Sequence, residues 1–267
     1  MLSIKPQMAV SAWRIHALAA ALIAPLAILL FFAPIPQDPR YHALADSRAM
    51  LGLPNFLNVA SNAMFLAVGA LGIALCVRGK CPGARLSWTA FFAAVALVAF
   101  GSGYYHWNPS DDTLAWDRLP MTVAFSALFA ALVTEHLDGT REGPVLVSAI
   151  AVGVASIVWW RHADDLRFYV WVQLAPFLVI AVLLASFPAR YSDRRWLVWG
   201  FGFYALAKVA EFGDPAIFSL TSGAVSGHTL KHLLAALAPL CVYRMLRVRR
   251  PLHTAPDDLS SSSSAAP

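Results

Sequence analysis

The sequence predicts an all-α, polytopic transmembrane helix bundle, on three observations. Of its 267 residues, 59% are hydrophobic and only 13% charged, against about 25% charged in soluble domains. Mean hydropathy is +0.61, carried by apolar runs long enough to cross about 30 Å of hydrocarbon. The basic residues fall in the short segments between those runs, in the one-sided pattern that orients membrane helices. The formal charge of +5 therefore reads as topology, and no nucleic-acid partner is expected.

The first apolar run, Trp13 to Ala33, follows Lys5 and Arg14. It is long enough to span and has no clear small-x-small cleavage site, so it reads as a retained helix and not a signal peptide. A polar segment, Pro34 to Pro54, carries Asp38, Arg40, His42, Asp46 and Arg48. Seven further runs cover 55–77, 86–105, 119–137, 144–160, 168–187, 196–210 and 228–246. The weakest is 196–210, which carries Lys208 near its end. With eight spans and a cytoplasmic N-terminus, thirteen Lys and Arg residues fall inside, and five (Arg40, Arg48, Arg118, Arg161, Arg167) fall outside. That asymmetry places both termini in the cytoplasm. The organisation expected is an N-terminal helix with a polar outer segment (1–54), a catalytic membrane domain (55–250) and a disordered cytoplasmic tail rich in Ser and Ala (251–267). Cys76, Cys81 and Cys241 imply no disulfide framework.

Polar residues at the ends of such runs are costly and usually functional. Ser102 and His106 are four residues apart, as are His228 and His232, so each pair shares one face of a helix. In the eight-span topology Ser102, His106, Asp117, His228 and His232 all lie at one level, on the non-cytoplasmic side. Three imidazoles with a carboxylate and a hydroxyl nearby are the makings of a catalytic zinc site. An HxxxH pair alone also suits haem or di-iron; haem needs facing axial imidazoles, and a membrane di-iron centre needs more clustered histidines than this chain has. Zinc with an open position fits best. Asp117 can equally cap a helix beginning at Leu119, with Pro120 in its first turn. Gly101 and Gly103 around Ser102 can serve close helix packing. Asp111 and Asp112 read as a solvated turn, and Arg118 as a partner for a carboxylate or a lipid headgroup. His16, His136, His162 and His253 read as packing residues. Lys208, Glu211 and Asp214 form a second polar cluster, with Lys208–Glu211 spaced for a plain ion pair. Asn58, Ser61 and Asn62 form a polar stripe suited to supporting the site through interhelical hydrogen bonds.

The combination Ser102-x3-His106, Asp117 within Asp-Arg-Leu-Pro-Met, and His228-x3-His232 resembles the alkaline ceramidase family, as does Asn58-Val59-Ala60-Ser61-Asn62. The likeness covers roughly Asn55 to Leu246. It implies a seven-helix hydrolase core, with zinc held by His106, His228 and His232 and with Ser102 and Asp117 as catalytic helpers. The helix 13–33 is then an addition ahead of the core. The family's acidic calcium-binding segment is not matched: Asn55 stands where its final acidic ligand is expected, and only Asp38 and Asp46 lie upstream, which puts calcium in doubt.

The expected activity is hydrolysis of the amide of ceramide or a related N-acyl lipid drawn from the bilayer, with the acyl chain between helices. The Ala- and Arg-rich style reads as bacterial, so the expected location is an inner membrane with the site toward the periplasm. The competing classes are an intramembrane serine protease using Ser102, a zinc-containing lipid-sensing receptor and a haem electron carrier. The sequence does not specify an oligomeric state.

Overall fold

A computed structural model describes residues 11–252. Lys5, His253 and the tail from residue 253 lie outside them; of the expected tail, Pro251 bridges Tyr191, and the Leu252 N–H donates to the Arg190 carbonyl. The described chain is helical: α1 Ala12–Leu30, α2 Phe56–Ala60, α3 Ala63–Val77, α4 Arg85–Trp107, α5 Asp111–His136, α6 Glu142–Ala163, α7 Arg167–Ser186, α8 Arg195–Phe212, α9 Asp214–Leu220 and α10 Gly227–Val248. Among the described residues seven segments are long and apolar enough to cross a membrane, counting α2 and α3 together. Fully or largely bare apolar side chains such as Phe31, Val147, Val198 and Phe212 cover the outside, as befits a surface solvated by lipid. The protein is an all-α bundle of the polytopic membrane type. The predicted run 196–210 forms α8, which packs along α10 but carries Arg195, Lys208 and Glu211 in eighteen residues.

Two local features position the site. The predicted run from Asn55 is broken after one turn and a half, because the Asn58 carbonyl is claimed by side chains. The Ser61 hydroxyl donates to it at 3.2 Å and Asn62 Nδ2 at 2.7 Å. Such side-chain competition with the helical ladder is a recognised cause of bends. The second feature joins α4 to α5. Pro120 lies well inside α5, where it lacks the N–H that would bond the Trp116 carbonyl. That freed carbonyl faces Gly101, and a Cβ at position 101 would run into it. Gly101 therefore serves close helix approach, whereas Gly103 faces open space.

Asp117 does not cap a helix. Ser110 takes that role in a reciprocal capping box with Thr113, which extends α5 eight residues upstream of Leu119 and leaves Asp117 in its second turn. Asp111 and Asp112 accordingly form the first turn of α5, where carboxylates favour the helix dipole, and pair with His42 and Arg161. Among the described residues Arg118 forms no ion pair with a carboxylate. It is buried, donates to Gln37 Oε1 at 2.7 Å, and stacks 4.2 Å from Trp160 and 4.7 Å from Tyr169. His136 packs against Phe187 as expected, but His16 and His162 are exposed.

The polar segment before α2 lies across the ends of the helices. Asp164 and Asp165 accept from the Gln37 and Ile35 N–H groups, and the Arg167 guanidinium beside Asp165 holds its carboxyl low, at about 2. Asp46, bonded to Arg48, is likewise held below the usual carboxylate range. The three cysteines are free and buried.

Candidate metal centre

His106 ends α4, while His228 and His232 occupy the first two turns of α10. All three are almost fully buried, and their ring centroids are 4.7, 4.8 and 5.0 Å apart, edge to face. The rings leave no gap for a porphyrin. Each offers one nitrogen to a cluster spanning no more than 4.8 Å, with Nε2 of His106 and Nε2 of His228 3.2 Å apart. Burying three polar rings against one another is costly without a partner. Among the described residues His232 Nε2, which faces the cluster, has no hydrogen-bond partner, so the donor set fits a metal ion and is incompletely satisfied without one.

Second contacts set the rings. Ser61 Oγ lies 2.8 Å from His232 Nδ1. With the serine proton on the Asn58 carbonyl, its oxygen accepts Nδ1–H, which leaves the Nε2 lone pair facing the cluster. The start of α10 is pinned by Asp214, whose carboxylate accepts from the His228 N–H at 2.7 Å and from the Ala45 N–H at 3.0 Å. Gly227 permits that contact, since a Cβ there would strike Ala210 and Asp214 backbone. Asn55, in a left-handed conformation (φ 49°), donates to the His106 carbonyl at 2.8 Å. The Thr229 hydroxyl donates to Asn58 Oδ1 at 2.9 Å. The stripe Asn58, Ser61 and Asn62 thus supports the site, with Ser61 making the direct contact. Replacing Ser61 by alanine is expected to weaken metal affinity by about 10- to 100-fold, the usual cost of losing such a partner. Competitive chelator titration measures it, and unchanged affinity would remove Ser61 from the support.

Beside the histidines lies a cavity of about 160 Å³. Its polar end comprises Ser102, Asp117, Lys208, Glu211, Lys231 and His232, and the rest of the wall is essentially apolar, including Phe65, Val98, Phe125, Phe177 and Phe201. Ser102 and Asp117 line this end together, and both are buried. All five sequence-predicted site residues therefore meet at one end of the bundle. Among the described residues no hydrogen bond joins Ser102 to a histidine, as a serine nucleophile with a histidine base would require.

The sequence reading did not assign Lys231 a role. Its Nζ lies 2.8 Å from Glu211 Oε1 and 3.3 Å from His228 Nε2. Glu211 also takes Lys208 at 2.8 Å and the Tyr41 hydroxyl at 3.1 Å. The available signal was Lys231 standing three residues after His228, on the face of α10 that carries the histidines.

Compared with known proteins, the chain matches a family model described as Ceramidase over residues 53–205, more than half of its length. The match includes Ser102, His106 and Asp117 and ends before α10. No curated protein matches the chain.

Proposed function

Because the chain belongs to the ceramidase family, we propose that it is a zinc-dependent intramembrane amide hydrolase acting on ceramide or a related N-acyl lipid. The observation that carries this reading is the convergence of three buried imidazoles from α4 and α10 beside Ser102 and Asp117, at the polar end of an otherwise apolar cavity. His106, His228 and His232 would hold the ion. Zinc bound there supplies a Lewis acid that polarises the amide carbonyl and lowers the pKa of water toward about 7.

The protein's own groups do the rest. The apolar wall accepts the acyl chain and draws the lipid amide to the polar end, where water is otherwise scarce. Asp117 takes the proton of the attacking water and passes it to the leaving amine. Ser102 presents its hydroxyl to the carbonyl oxygen as negative charge develops there, a stabilisation typical of oxyanion donors. Arg118, fixed by Gln37 and its aromatic neighbours, keeps this turn of α5 in place. With α8 counted as a crossing, the bias of basic residues favours both termini in the cytoplasm and the site on the outer side, which in our reading is the periplasmic side of a bacterial inner membrane. The test is release of fatty acid from ceramide and other N-acyl lipids by detergent-purified protein. Release that a chelator abolishes and zinc restores is the expected result, and release untouched by chelation would overturn the metal-dependent reading.

A further inference from the structure

Among the described residues, the charged groups on the cavity wall are Asp117, Lys208, Glu211 and Lys231. Their arrangement is uneven. Glu211 Oε2 takes Lys208 Nζ, while Oε1 takes Lys231 Nζ and the Tyr41 hydroxyl. Neither lysine makes an ion pair with any other described carboxylate. One buried carboxylate thus serves two ammonium groups. The remaining described carboxylate on this wall, Asp117, makes no ion pair with either lysine, and it becomes neutral whenever it takes up the proton of the attacking water. At that moment the two lysines face a single carboxylate, beside a metal site that would add positive charge of its own, in surroundings where an uncompensated charge is costly.

We propose, resting on the amide-hydrolase reading, that Lys208 and Lys231 form a subsite for an anionic group on the amine half of the substrate. The preferred lipid is then an N-acyl lipid whose leaving amine carries a carboxylate or phosphate, in place of a neutral one. Both lysines line the same cavity as Ser102 and Asp117, so an anion on the amine half can reach them while the amide lies at that end. Lys231 is the more enclosed member, with its side chain 13% exposed; Lys208, at 38%, is the more accessible. An incoming anion can draw Lys208 partly from Glu211 without leaving that carboxylate bare, because Lys231 and Tyr41 remain on it. A cationic amine half meets repulsion at the same place. The fatty acid released is also anionic, but it is common to every substrate of a given acyl chain and cannot generate a preference among headgroups.

The test uses full-length, zinc-loaded protein in neutral detergent micelles and two lipids differing in one charge: N-palmitoylserine and its methyl ester. Ceramide with the same acyl chain serves as a reference. Palmitate release is measured for wild type, Lys208→Gln and Lys208→Arg. The free carboxylate is expected to raise kcat/KM over the ester by about tenfold, chiefly through KM, the scale of one charge-assisted hydrogen bond. Lys208→Gln should bring that ratio near one, and Lys208→Arg should restore most of it. A lysine that only stabilises the fold would alter both lipids alike and leave the ratio standing, which would overturn the subsite. Equal or better turnover of the ester by wild type would overturn it too, with the hydrolase reading intact. Palmitate released from none of the three lipids would sink the hydrolase reading and the subsite together.

Discussion

Replacing His228 by alanine is expected to remove metal and activity together. His228 is one of three nitrogen donors, and its backbone is fixed by Asp214, so the loss falls on the ligand and not on the start of α10. Losing a direct ligand should exceed the roughly 10- to 100-fold penalty usual for an outer-shell partner. Activity should fall to background, since both polarisation of the amide and activation of water depend on the ion. Elemental analysis of purified protein should give about one zinc per chain in the wild type, as expected of a three-histidine site, and little in the variant. The double variant His106→Ala/His232→Ala should behave the same way. Helix content by circular dichroism separates this outcome from misfolding. Full zinc content in His228→Ala would mean that the ligands are elsewhere, and a metal-free wild type with lipid hydrolase activity would remove zinc from the reaction.

The second large effect is expected at Asp117. Asparagine keeps the size and the hydrogen-bonding reach of the side chain but cannot take a proton from water. Since Asp117 is not one of the three clustered nitrogen donors, zinc content should be unchanged. Turnover should fall by about 10²- to 10⁴-fold, the range for loss of a general base, with little change in KM. The comparison with His228→Ala is what gives the result its meaning, because one variant loses the ion and the other keeps it. Intact turnover in Asp117→Asn would take Asp117 out of the mechanism and leave it as a buried polar residue of α5 on the cavity wall.

Much of the architecture was readable in the chain because crossing a bilayer is a local property. About twenty apolar residues satisfy it regardless of neighbours, so the spans are visible one at a time. Even α8 was marked as the weakest from Lys208 alone. The histidines were legible for a similar reason: His228 and His232 share a helical face whatever that helix packs against. The alternative reading of Asp117 as a helix cap failed on a competition between two local signals. Ser110 with Thr113 makes a reciprocal capping box, which starts the helix earlier than the Asp-Arg-Leu-Pro sequence suggests, and Pro120 is then accommodated inside it by Gly101 on the neighbouring helix.

The sequence by itself determined the class of the protein, the approximate extent of its spans and the five residues that gather at the candidate site. Only the tertiary structure decided how those residues are oriented: Ser61 holds His232 from another helix, Asn55 holds the end of α4, and Arg118 is enclosed by Gln37 and aromatic rings. It also decided that Glu211 serves lysines from two helices and a tyrosine from the segment before α2. The physical reason is that these contacts depend on how far each helix is rotated about its axis and at what depth it crosses its neighbours. Helices that are apolar on nearly every side carry no strong stripe to mark the face turned inward, so rotation is fixed by packing and by buried polar contacts between segments distant in the chain.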